Sequence, residues 1–241
     1  MTELRLSESL AVVVPCYNVG DRVVPVIEGL LERVSTIIAV DDGSTDGCVE
    51  PLRAMPIEIV TFPQNRGKGF ALQAGFETAL KDPGIGCVAV VDSDGQHDPA
   101  ELPSLYEAFA REDADLVIGN REFGGEHVPW RSRFGNMMTI TIAGWLLGTR
   151  VPDTQSGYRL HSRRFLEAVL PHMSGGLYEF EMELLGRALR GGYRVVSSPI
   201  QTIYEEGNRV SHFHKGRDSF RIYRTLLKTA WQTRKVKGGG D

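Results

Sequence analysis

Cysteine is scarce in this sequence, with three in 241 residues, and no two of them have the spacing of a metal knuckle. Cys16, Cys48 and Cys87 therefore argue against a structural zinc site and against a disulfide framework. Cys16 and Cys87 lie in or beside apolar runs and read as buried, reduced thiols, which fits a cytosolic protein. Long hydrophobic runs are missing as well. The most lipid-like one, MMTITIAGWLLG at residues 137–148, falls short of the ~20 apolar residues that span a bilayer. The opening MTELRLSE is too polar for the core of a secretory leader. A basic excess is absent too, and a net charge of −4 argues against general nucleic-acid binding. Neither G-x-G-x-x-G, nor G-x-x-x-x-G-K-[ST], nor a G-x-S-x-G elbow occurs, so dinucleotide enzymes, P-loop NTPases and serine hydrolases lose their usual marks.

What is present is an ordinary globular composition, 41% hydrophobic and 24% charged. Val-rich LAVVVP at residues 10–15 reads as a buried strand stopped by Pro. Residues 21–34 carry apolar side chains at helical spacing, with Pro25 suited only to a first turn. Strands follow at 36–40, 57–62, 87–91 and 114–121, with helices predicted at 67–81 and about 99–111. The helix predicted at 67–81, GKGFALQAGFETALK, has small residues at Ala71, Ala74, Gly75 and Ala79, a face for close backbone packing. Strand–helix alternation with short connections predicts an α/β fold, a mostly parallel central sheet flanked by helices. Ligands of such sheets bind beyond the carboxyl ends of the strands. Asp41, Asp42, Asp92 and Asp94 all fall at such ends, so their charge converges on one edge. No repeat or linker divides the chain, and residues 1–241 are expected to form one domain. Within it, about 8–121 would make one half, 122–206 a looser second half and 207–241 a tail.

The stretch VAVVDSDGQHDP, residues 88–99, runs a buried strand into three aspartates and a histidine. Two carboxylates flanking one residue can share a divalent cation, which can in turn hold a diphosphate. An EF-hand fails, because the sixth and twelfth loop positions counted from Asp92 are His97 and Pro103. An aspartyl phosphotransferase, with Asp92 as nucleophile, and a plain solvated turn stay open on these residues alone.

PCYN (15–18), VDDGSTDG (40–47), NRGKGFA (65–71), DSDGQHDP (92–99), GNR (119–121) and DTQSGYRL (153–160) occur in one order. That ordered set resembles the inverting family-2 glycosyltransferases of the GT-A fold, and among them the dolichyl- and polyprenyl-phosphate sugar synthases. The resemblance runs from about residue 10 to 211. It implies a transferase that moves a hexose from a nucleotide-diphosphate sugar to a polyprenyl phosphate at the cytoplasmic membrane face. It places Pro15, Tyr17, Asn18, Asp41 and Asp42 around the nucleoside, with Asp42 toward the base. Asp92, Ser93 and Asp94 would meet ribose and metal, Gln96 would join Asp92 and Asp94 on Mg²⁺ or Mn²⁺, and Lys68 would offset phosphate charge. Arg121, Arg131 and Arg133 would grip the acceptor phosphate, since guanidinium matches phosphate oxygens in pairs. An ionised phosphate acceptor needs no strong base; a hydroxyl acceptor would, and Asp153 is then the candidate. Glu183 matches a family glutamate expected to orient the loop around Asp153, whereas Glu179 and Glu181 read as surface charges. Departures are Val19 after PCYN where relatives carry Glu, Ser197-Ser198-Pro199 in place of EVP, and EGNRVSHF in place of a basic G-x-S-K loop. In that last loop Arg209 would supply the positive charge to the diphosphate.

The charge is uneven. From residue 207 onward nine Lys/Arg stand against Asp218 and Asp241, so the tail is +7 and residues 1–206 carry −11. In DSFRIYRTLLKTAWQTRKVK (218–237), Phe220, Tyr223, Leu226, Leu227, Ala230 and Trp231 fall on one helical face and most of the basic residues fall off it. A basic amphipathic helix with Trp reads as an interfacial membrane anchor. The same face would alternatively pack on the protein itself or on a second subunit in a homo-oligomer.

Overall fold

The structure, a computed structural model, describes residues 8–121, 156–173, 176 and 179–200. The Val-rich run Leu10–Cys16 (β1) is buried along its whole length, as a strand without polar alternation must be. On one side it pairs in parallel with Thr36–Asp41 (β2), which pairs in parallel with Glu58–Thr61 (β3). On the other side it pairs in parallel with Cys87–Val90 (β4). The connecting helices are Val23–Leu31 (α1), Lys68–Ala79 (α2) and Leu102–Glu112 (α3), and Leu116–Arg121 (β5) follows. After residue 156 come Arg159–Ser162 (β6), Arg163–Val169 (α4), Glu179–Gly191 (α5) and Val195–Ile200 (β7). The sheet order is β3-β2-β1-β4-β6-β5-β7.

Period-two alternation sends Val13 to one face of the sheet and Val12 and Val14 to the other. Val13, Ile38, Val88 and Val90 pack with Ala71 of α2, Phe165 of α4 and Leu184 of α5. Val12, Val14, Ala89 and Val117 pack with Ile27 of α1 and Leu105 of α3. The small-residue face expected of α2 lies on β1. A Cβ added to Gly75 would come within 2.4 Å of the Val13 Cγ1, so helix and strand touch backbone to side chain.

One feature departs from a uniformly parallel sheet. β6 runs antiparallel between β4 and β5, with Arg159 opposite both Val90 and Ile118. It therefore begins at the edge where β4 and β5 end. The carboxyl ends of β1, β2, β4 and β5 and the start of β6 share that edge.

Candidate active site

At this edge, Cys16 of β1 lies in register with Asp41 of β2, and the Asp42 amide donates to the Cys16 carbonyl at 2.9 Å. The two turns that follow are fastened together. Asn18, held at φ 49°, donates its amide to Ser44 Oγ (3.1 Å) and accepts from the Thr45 amide (2.8 Å). Asp46 accepts from the amides of Gly20 and Cys48 at 2.8 and 3.0 Å. Asp41 accepts from the Ser44 amide at 2.8 Å. The PCYN and DDGST turns are thus one unit. Tyr17 is half-buried on it.

Asp42, 3% exposed, turns inward. Its carboxylate accepts from Asn65 Nδ2 (3.0 Å) and from the amides of Arg66 (2.7 Å) and Gly67 (2.8 Å). Burial pushes its pKa up, and those two amides pull it back. The carboxylate expected near the base is thereby the clasp of the NRG turn at the entry of α2. Ser93 is a second clasp: buried, it donates to the Pro15 carbonyl at 2.7 Å, tying the end of β4 to the end of β1.

Asp92 and Asp94 leave β4 on the same edge. Asp92 Oδ1 pairs with Lys68 Nζ at 2.7 Å, and Lys68 reaches Glu181 Oε2 at 3.1 Å. Burial works against the Lys68 ammonium, but Asp92 and Glu181 outweigh it and hold its pKa above the ordinary value. His97 is buried below, its Nε2 3.9 Å from Asp92 Oδ2 and its ring 5.4 Å from that of Tyr158. Asp94 accepts from the Gln96 amide at 3.0 Å. Burial, and next the charge of Asp92, raise the Asp94 pKa. Carboxylates that oppose each other's ionisation form a donor set that a divalent cation relieves. Among the described residues no three or more His, Cys, Asp or Glu are arranged so that they could hold a metal ion by themselves. The protein thus offers two carboxylates and the half-buried Gln96, an all-oxygen set suited to Mg²⁺ or Mn²⁺ when donor phosphates or water complete the shell.

Glu181 corrects the sequence reading. Expected as a surface charge, its side chain is only 12% exposed and paired to Lys68. Glu183, expected at the acceptor loop, gives its carboxylate to Arg187 of its own helix at 2.7 Å. The signal was present: 181, 185 and 188 share one stripe of α5, and Leu185 and Ala188 are fully buried. Arg159 was missed altogether. It is 2% exposed and donates to the carbonyls of Ser156 and Glu181, each at 2.8 Å. Arg131, Arg133, Asp153, Arg209, the Arg121 side chain and the basic tail lie outside the described residues.

Residues 11–170 match the model of the family described as glycosyl transferase family 2. The chain belongs to glycosyltransferase family 2. This family-2 glycosyltransferase is 33% identical over 210 residues to a polyprenol monophosphomannose synthase of Mycolicibacterium smegmatis, covering 82% of this chain and 78% of that protein. It is 32% identical over 208 residues to an undecaprenyl-phosphate mannosyltransferase of Micrococcus luteus, covering 80% and 83%. Its fold is GT-A. A glucosyl-3-phosphoglycerate synthase from Mycobacterium tuberculosis, crystallised with Mn²⁺, uridine diphosphate and phosphoglyceric acid, superposes with a TM-score of 0.72. That likeness, at 22% identity, covers 92% of this chain and 78% of the other.

Proposed function

We propose that this glycosyltransferase is metal-dependent and inverting, and that it transfers a hexose from a nucleotide-diphosphate sugar to a polyprenyl phosphate at the cytoplasmic membrane face. The observation that carries the donor side is the convergence of Asp41, Asp92, Asp94 and Lys68 on one sheet edge. The acceptor is supported by the two relatives named for polyprenyl-phosphate chemistry.

Asp92, Asp94 and Gln96 would hold the cation. When bound, it would neutralise the charge that grows on the departing nucleoside diphosphate. The Lys68 ammonium adds a fixed positive charge on the same side. The clasped PCYN and DDGST turns present Tyr17, Asn18 and Asp41 as a rigid wall for the nucleoside, set before the donor arrives. An acceptor phosphate is ionised at neutral pH, so its oxygen can attack the anomeric carbon opposite the leaving group without losing a proton to the protein.

Calorimetric titration of UDP, GDP and their common sugars, with and without Mn²⁺, tests the donor side. One nucleotide is expected to bind tightly with metal only. Asp94→Ala should lower turnover by at least ~100-fold, as loss of a charge-stabilising contact does, while the thermal midpoint stays near wild type. Binding that ignores Mn²⁺, or an unchanged Asp94→Ala enzyme, would count against the metal site. Radiolabelled sugar appearing in phosphoglycerate or a sugar alcohol, and none in polyprenyl phosphate, would overturn the acceptor assignment.

A further inference from the structure

The charged groups of the site close a circuit. Lys68 Nζ lies 2.7 Å from Asp92 Oδ1 and 3.1 Å from Glu181 Oε2. The Glu181 carbonyl accepts from Arg159 at 2.8 Å, and Arg159 also donates to the Ser156 carbonyl at 2.8 Å. The next residue returns to the start: a Cβ on Gly157 would fall 2.2 Å from Asp92 Oδ2, so backbone and carboxylate touch. The reach from Lys68 to Glu181 depends on Gly69, where a Cβ would meet the Gly176 carbonyl oxygen at 2.5 Å and Phe180 Cβ at 2.7 Å. With no side chain between them, the start of α2 lies directly against the start of α5.

We infer that Glu181 is a positioning residue for the nucleotide donor, holding the Lys68 ammonium in place when Asp92 turns from the lysine to the ribose and divalent cation that accompany the incoming nucleoside diphosphate. The inference rests on the glycosyltransferase reading above. A diphosphate approaching this edge meets the negative charges of Asp92 and Asp94, and Lys68 is the cation that lies between them and Glu181. An ammonium has three N–H donors. Two go to Asp92 and Glu181, which leaves a third for a phosphate oxygen. With Asp92 as its sole partner, a flexible lysine would follow that carboxylate or swing to solvent once the donor engaged Asp92. Glu181 prevents this, because its own main chain is fixed by Arg159, a residue only 2% exposed. Lys68 therefore changes partner without changing position.

The test uses the full chain in wild-type form and as Glu181→Gln, Lys68→Met and the double variant. The probe is whichever of UDP and GDP the wild type binds with Mn²⁺, followed by steady-state kinetics with the matching nucleotide sugar. Glu181→Gln should raise the Kd and the donor KM about 10-fold while kcat changes less than about 3-fold, the pattern of lost donor binding. Lys68→Met should lose at least as much. The double variant should bind no more weakly than Lys68→Met, because the glutamate acts through the lysine. Glu181→Asp, which keeps the charge, should recover part of the affinity. A Glu181→Gln enzyme with wild-type donor KM, or losses that simply add in the double variant, would overturn the inference. If Lys68→Met shows no native thermal transition, Lys68→Gln takes its place in the cycle. A wild type that binds neither nucleotide would instead overturn the glycosyltransferase reading, and that result is seen before any variant is compared.

Discussion

Asp42 shows what a single carboxylate does here. Both oxygens are occupied, one by the Arg66 amide and one by the Gly67 amide and Asn65 side chain. Asp42→Asn replaces one carboxylate oxygen with an amide NH2 that donates instead of accepting, and leaves at least one of these buried donors short of a partner. A stability loss of about 2 kcal/mol is expected, in line with hydrogen bonds to a buried charged group, and urea denaturation would measure it. Nucleotide affinity should fall with it, since the NRG turn that leads into Lys68 loses its clasp. Unchanged stability would mean that the turn holds itself. The sequence made the location of this carboxylate legible, because an apolar strand that stops at two aspartates leaves them at the strand end. It did not reveal which of the two is consumed internally, since the three donors to Asp42 come from residues 65–67, far along the chain. Glu181 was legible only in part: its place on the buried stripe of α5 marks it as inward-facing, but its partner Lys68 belongs to another helix.

Among elements, β1 to β5 and α1 to α3 follow from apolar run length and spacing, and their bounds shift by only a few residues at each end. β6 does not follow. Its residues Arg159, Leu160, His161 and Ser162 are buried on both faces, so neither alternation nor an apolar run marks it. His161 is accommodated as a neutral ring: burial, and next the charge of Arg159, lower its pKa to about 3, and it packs edge-on to Phe76 at 5.1 Å. The junction of β5, β6, α4 and β7 is held by Asp115, 4% exposed. Its carboxylate accepts from Ser162 Oγ at 2.9 Å, from the Arg194 amide at 3.0 Å and from Arg164 Nε. Burial opposes the charge, but Arg164, the Arg194 amide and Ser162 outweigh it and hold the pKa below the ordinary carboxylate range. A folded pKa below the unfolded one means stability that is complete above about pH 4, the unfolded carboxylate value, and lost as pH falls through the folded value. Asp115→Asn is therefore expected to be less stable than wild type by about 1–3 kcal/mol at neutral pH. That gap should shrink as pH drops from 5 toward 3 in thermal unfolding, and a gap independent of pH would show that the charge contributes nothing.

For the whole molecule the decisive feature is the separation of charge, −11 over residues 1–206 against +7 from 207 onward. An acidic body is repelled by an anionic bilayer, whereas each Lys or Arg near such a surface gains about 1 kcal/mol. A tail that binds headgroups would thus hold the catalytic edge near a lipid acceptor without a spanning segment, and among the described residues no helix is long and apolar enough to cross a membrane. Deleting 218–241 removes six of the nine tail Lys/Arg together with Trp231. The truncated protein is expected to sediment far less with vesicles containing anionic lipid, while its Kd for the nucleotide donor stays at the wild-type value. Wild-type sedimentation should also weaken at high salt, because exposed charges more than ~8 Å apart are largely screened at physiological ionic strength and more strongly above it. Equal sedimentation of the two proteins would remove the tail as an anchor. The apolar face around Leu226, Leu227 and Trp231 would then be assigned to packing within the protein or between subunits, and the molecular mass in solution would distinguish those two.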